Sequence, residues 1–193
     1  MNLVLKLTLG EESLGSAGDE DGLRALVLFE DAAAGSRAMV ALDRVAREIE
    51  GTGTLVLALW RLELLASKVS MGTLADEAAS ADVIIFALGP GAKLPAGINE
   101  WFSLWIGREG GRALALGAIV GGEEGQHGAA AAVEQLRQIA SLGEMEFFAT
   151  GGAEGGIQSL GTALHKASRA AGRGGAEENG APFFGVLAES KGR

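Results

Sequence analysis

The sequence predicts a doubly wound α/β domain: a five-stranded parallel sheet sandwiched between two layers of helices. Three observations carry this expectation. Five apolar runs, Leu23–Phe29, Thr54–Leu59, Val83–Leu88, Ala113–Val120 and Met145–Ala149, alternate with segments of helical period. The strongest runs are continuously apolar instead of alternating, as strands buried on both faces of a parallel sheet must be. The third and fourth runs stop at glycine, at Gly89-Pro90-Gly91 and at Gly121-Gly122. Ala81–Val120 thus reads as one βαβ unit with both loops at the carboxyl ends of its strands. In open α/β sheets that is where ligands sit.

The elements follow in order. Asn2–Leu9 reads as a short strand, and Gly10–Gly22 is an acidic loop rich in Ser and Gly. After the strand Leu23–Phe29 a helix is expected from about Arg37 to Glu50, with Met39, Leu42, Val45, Ala46 and Ile49 as its apolar stripe. Asp43–Arg47 and Arg44–Glu48 are i,i+4 pairs on its outer face. Gly51-Thr52-Gly53 ends that helix, Thr54–Leu59 is the next strand, and Trp60–Ser70 has no clear period. Thr73-Leu74-Ala75-Asp76 has capping-box spacing, so a helix is expected from near Thr73. Later helices are expected over Ile98–Ile106, Ala129–Leu142 and Ile157–Ala171. Gly172–Gly180 has the composition of a flexible tail. Pro182–Leu187 is apolar again and is a candidate to pair with Asn2–Leu9. The organisation expected is 1–22 as N-terminal strand and acidic linker, 23–171 as the α/β domain, and 172–193 as a glycine-rich tail with a possible short strand.

Composition narrows the function classes. The chain has 193 residues, enough for one domain with a full core. Its net charge is −9 and its 16 basic residues form no cluster, so the electrostatic footprint of a nucleic-acid binder is missing. There is no cysteine, which excludes disulfides, thiolate metal sites and a cysteine nucleophile. Met1–Lys6 has neither a basic nor a long apolar region, and no run reaches ~18 apolar residues. A cytoplasmic protein with no membrane association is expected.

The order of elements, together with Ala81-Asp82-Val83-Ile84-Ile85-Phe86, Leu94-Pro95, Trp101…Trp105 and Gly121-Gly122…Gly125…Gly128, resembles the flavodoxin-like superfamily. The nearest branch is that of the NAD(P)H-dependent FMN reductases. The resemblance spans roughly Leu23–Ala149 and implies a three-layer sandwich with strand order 2-1-3-4-5, counted over the five parallel strands. It also implies FMN as cofactor, NADH or NADPH as electron donor, and a homodimer. In that family three loops hold the flavin. The first cradles its phosphate, here with Gly35, Ser36 and Arg37 as the implied contacts. The second faces the ring, here Gly89, Pro90, Gly91 and Ala92; the third contributes Gly121, Gly122 and His127. No catalytic residue follows from the resemblance.

Each of these residues also has a plainer reading. Ser36 fits an ordinary N-cap and Arg37 a solvated cation; Gly89–Pro95 fits a tight turn. His127, in a glycine-rich loop, fits an exposed and inert imidazole, and His165 is placed more weakly still. With Glu123 and Glu124, His127 lacks the second imidazole of a metal site, so no metal is expected. The first loop also brings two carboxylates, Glu30 and Asp31, where a phosphate dianion would approach. The ring-facing loop has no aromatic residue to stack on a flavin.

Receiver domains share the sheet order and an acidic pair after the first strand. They need an Asp ending the third strand and a Lys ending the fifth, where this chain has Leu88-Gly89 and Thr150-Gly151. Two functions therefore stand: an FMN-binding oxidoreductase, or a flavodoxin-like domain that has lost FMN and serves as a binding or assembly module. On the helix Ile98–Ile106, Phe102 is expected in the core and one of Trp101 and Trp105 at a subunit contact.

Overall fold

A computed structural model describes residues 3–9, 23–48, 53–108, 113–121, 129–151, 161–162 and 165–166. Its elements are β1 (Leu3–Leu9), β2 (Leu23–Phe29), α1 (Ala32–Glu48), β3 (Gly53–Arg61), a 3-10 turn (Leu62–Ala66), α2 (Lys68–Ala79), β4 (Val83–Leu88), α3 (Ile98–Ile106), β5 (Ala115–Val120), α4 (Ala130–Leu142) and β6 (Glu146–Gly151). Residues 161–162 and 165–166 are helical. They fall inside the helix expected over Ile157–Ala171, most of which lies outside the described residues, as does Pro182–Leu187.

One sheet of six strands runs in the order β1-β3-β2-β4-β5-β6. The five strands from β2 onward are mutually parallel where paired, and their order is the expected 2-1-3-4-5. This is the flavodoxin-like α/β fold. The first strand adds a sixth to this sheet. β1 adds to the outer edge of β3 in antiparallel register, from Leu3 opposite Leu59 to Leu9 opposite Gly53. Leu3–Leu9 thus extends the main sheet.

The core lies on both faces of the sheet, and the strand period sorts it. Leu26, Leu28, Ile84, Phe86, Leu88 and Leu116 point to the face covered by α2, α3 and α4. Ala25, Val27, Val83, Ile85, Ala115 and Ile119 point to the face covered by α1. Every residue of β4 is buried, as a central strand covered on both faces demands.

Two helices begin before their expected starts. α1 begins at Ala32, five residues before Arg37, because Asp31 caps it: its carboxylate accepts the Ala34 N–H at 2.7 Å. α2 begins at Lys68, which leaves the Thr73–Asp76 spacing inside the helix. There Arg108 holds Asp76 at 2.6 Å and donates to the Gly72 carbonyl at 3.0 Å, tying the end of α3 to α2.

Both tryptophans of α3 are buried, Trp101 at 0% and Trp105 at 2% exposure, so neither is free to form a subunit contact. They stack with ring centroids 5.5 Å apart, and Phe86 meets Trp101 edge-on at 6.2 Å. Phe102 is the half-buried member of the trio, packed edge-on to Trp105. The sheet surface selects Trp101 and Trp105, an i,i+4 pair, because they share one face of the helix.

Candidate functional site at the carboxyl rim of the sheet

The carboxyl ends of β2, β4 and β5 meet the start of α1 at one rim. Adjacent strand ends are joined by backbone bonds, Glu30 N–H to the Ala87 carbonyl at 3.0 Å and Gly121 N–H to the Leu88 carbonyl at 2.8 Å. Two side chains then cross between elements. The Glu30 carboxylate accepts the Gly89 N–H at 2.7 Å. The Arg37 guanidinium, reaching back from α1, donates to the Leu88 carbonyl at 3.2 Å.

The peptide unit between Leu88 and Gly89 is therefore gripped at both ends. Its carbonyl takes Gly121 N–H and Arg37, and its N–H takes Glu30. Glycine leaves the space that both side chains occupy. A Cβ at Gly89 would come within 2.9 Å of a Glu30 carboxylate oxygen, and a Cβ at Gly121 would overlap the Arg37 guanidinium. Arg37 packs so closely there that its Nε is buried with no hydrogen-bond partner among the described residues.

The turn after β4 follows directly. Ala92 N–H bonds back to the Gly89 carbonyl at 3.3 Å, and Gly91 has φ +83°. Pro at the second position and a positive-φ glycine at the third are the residues a type II turn needs. Pro90, Gly91 and Lys93 are exposed, whereas Ala92 is buried beneath them.

The structure thus brings Arg37, Gly89 and Gly121 together and leaves other expected contacts elsewhere. Gly35 and Ser36 are not loop residues. Both lie within α1, Gly35 buried beside the Phe29 ring and Ser36 exposed. Gly122 and His127 lie outside the described residues. Sequence reasoning gave Glu30 and Asp31 only a repulsive role, yet Glu30 holds the rim and Asp31 caps α1. Asp31 had a local signal, an N-cap residue followed by three alanines; Glu30 had none, since its partner is 59 residues away.

The fit of FMN is decided at the junction of β2 and α1. Only Glu30 and Asp31 separate the two elements. A phosphate at a helix N-terminus needs free N–H groups. Here the Ala34 N–H goes to the Asp31 carboxylate, and the Gly35 N–H makes the first helical bond, to the Asp31 carbonyl at 2.9 Å. The flanking side chains are anionic, and a carboxylate about 4 Å from a phosphate charge costs ~1–4 kcal/mol. A phosphate at this helix start would compete with the Asp31 cap and face two carboxylates.

Among the described residues no three His, Cys, Asp or Glu side chains come together as a metal site would require. Also among them, no helix is long and apolar enough to cross a membrane.

No family model matches the sequence, and no curated protein does. Solved structures are similar at low identity. The flavodoxin of Streptococcus pneumoniae TIGR4 is 14% identical, with 77% of this chain and 99% of that one covered, at TM-score 0.48. The flavodoxin-like domain of a Synechococcus protein is 13% identical over 77% and 99%, at TM-score 0.42. The Trp repressor binding protein of Bacillus subtilis is 14% identical over 76% and 96%, at TM-score 0.38.

Proposed function

We propose that this chain is a flavodoxin-like binding or assembly module that works without FMN. The observation that supports it most is the β2–α1 junction, where Asp31 caps the helix that would otherwise receive the flavin phosphate. The turn after β4 adds to this, because it presents no aromatic side chain and its first N–H is already held by Glu30. A module of this kind acts through partners, the simplest being a second copy of the chain.

A flavin titration tests the reading. The purified protein is expected to be colourless and to leave FMN fluorescence unquenched, and to oxidise neither NADH nor NADPH in the presence of FMN. Saturable quenching by stoichiometric protein would overturn it.

The other reading is an FMN-binding, NAD(P)H-dependent oxidoreductase. It is favoured by the convergence of β2, β4 and β5 at one rim, where Arg37, Gly89 and Gly121 meet. It requires Glu30 to leave Gly89 and the phosphate to compete with Asp31 at the start of α1. The same titration separates the two.

A further inference from the structure

The peptide between Leu88 and Gly89 ends the central strand β4. Its N–H is a backbone donor at the carboxyl rim, and Glu30 already takes it at 2.7 Å. The carboxylate fits because residue 89 has no Cβ, the nearest approach to one being 2.9 Å from the Glu30 oxygen. The carbonyl of the same peptide is held by Gly121 N–H at 2.8 Å and by Arg37 at 3.2 Å. A hydrogen bond to a charged acceptor is stronger than one between neutral groups. A ligand therefore competes with a covalently tethered carboxylate, present at high effective concentration.

We infer that Glu30 is a built-in occupant of the rim: an autoinhibitory contact that closes the Gly89 N–H to ligands bearing acceptor oxygens. The inference rests on the module reading and names what keeps the site shut. Glu30 and Arg37 act together as a clasp across three strand ends. The clasp opens when the carboxylate leaves the Gly89 N–H.

The test follows the Gly89 amide in 15N-labelled full-length protein, with acetate, a minimal carboxylate, as probe and FMN as control. In the wild type the amide is expected to be protected from exchange and unmoved by either. Glu30→Ala should speed its exchange by about tenfold or more and let acetate shift its resonance. Glu30→Gln keeps an acceptor oxygen of the same reach and should retain most of the protection. Gly89→Ala reaches the clasp from the other side, its methyl displacing the carboxylate while the charge remains. It should raise exchange at residue 89 as Glu30→Ala does. Unchanged exchange in both Glu30→Ala and Gly89→Ala overturns the clasp. So does a Glu30→Ala protein as silent to acetate as the wild type. A wild-type Gly89 amide that moves with FMN overturns the module reading as well, so the two failures are distinct.

Discussion

The ring of Phe148 lies across the α-carbon of Gly117, its register partner on the neighbouring strand β5. A Cβ at 117 would overlap ring atoms Cζ and Cε2 and come within 2.8 Å of Cε1. Phe148 is buried at 5% exposure, against the α1 face of the sheet, so the ring has little room to swing away. Gly117→Ala is therefore an overpacking substitution, expected to cost ~1–3 kcal/mol. Urea unfolding measures it. The double variant Gly117→Ala with Phe148→Leu should lose less than the sum of the single losses, because the two residues share one space. Additive losses would mean that the ring does not sit on the glycine.

The cap on α1 makes a second prediction. Asp31 accepts the Ala34 N–H at 2.7 Å and is exposed, so its removal leaves an orphan donor and no cavity. Asp31→Ala should lower stability by about 1 kcal/mol, and Asp31→Ser or Asp31→Asn should restore most of it. Denaturant midpoints check this. A loss in Asp31→Ala that serine and asparagine leave unrepaired would mean that the carboxylate serves the rim and not the helix.

These two sites differ in how legible they were. The strands could be read because buried parallel strands are apolar throughout and stop at glycine; Val83–Leu88 and Ile98–Ile106 have the bounds the sequence gives them. The start of α1 was missed because Ala32, Ala33 and Ala34 carry no periodicity and Gly35 imitates a loop. The pairing of β1 with β3 was missed because register between strands about 50 residues apart leaves no local mark. The clasp was missed for the same reason. Glu30 is read as a surface acid until folding puts the Gly89 N–H beneath it.

Burial decides the third prediction. Trp101 and Trp105 stack inside the cluster formed with α2 and β4, so truncating either removes core volume and no contact surface. Trp101→Ala and Trp105→Ala should each cost ~3–5 kcal/mol. The weight-average mass by sedimentation equilibrium should not change for whatever fraction stays folded. A variant of full stability that dissociates an oligomer would restore the subunit-contact role.

A fourth prediction concerns the closest backbone approach outside the rim. A Cβ at Gly97, just before α3, would overlap the Leu65 carbonyl and lie 2.8 Å from the terminal methyl of Met71. Met71 can turn aside, but a carbonyl of the 3-10 turn cannot without shifting the turn. Gly97→Ala is expected to cost ~1–3 kcal/mol. Met71→Leu in the same background should recover little, since the backbone sets the limit. Near-complete recovery would place the strain in the side chain instead.

Gly35 tests the helix against the loop directly. Within α1, glycine costs ~1 kcal/mol relative to alanine through backbone entropy. The opposing term is contact: a Cβ at 35 would stand 3.3 Å from Phe29 Cγ and Cδ2, so the ring must give by a few tenths of an ångström. Phe29 is half-buried at the end of β2 and can yield. Propensity therefore wins, and Gly35→Ala should stabilise the protein by ~0.5 kcal/mol. A glycine cradling a phosphate would behave differently, since its added methyl would bear on ligand and not on stability. A higher urea midpoint for Gly35→Ala supports the helical placement. A loss of about 1 kcal/mol or more would mean that Phe29 is pinned and that the first turn of α1 is set by its ring.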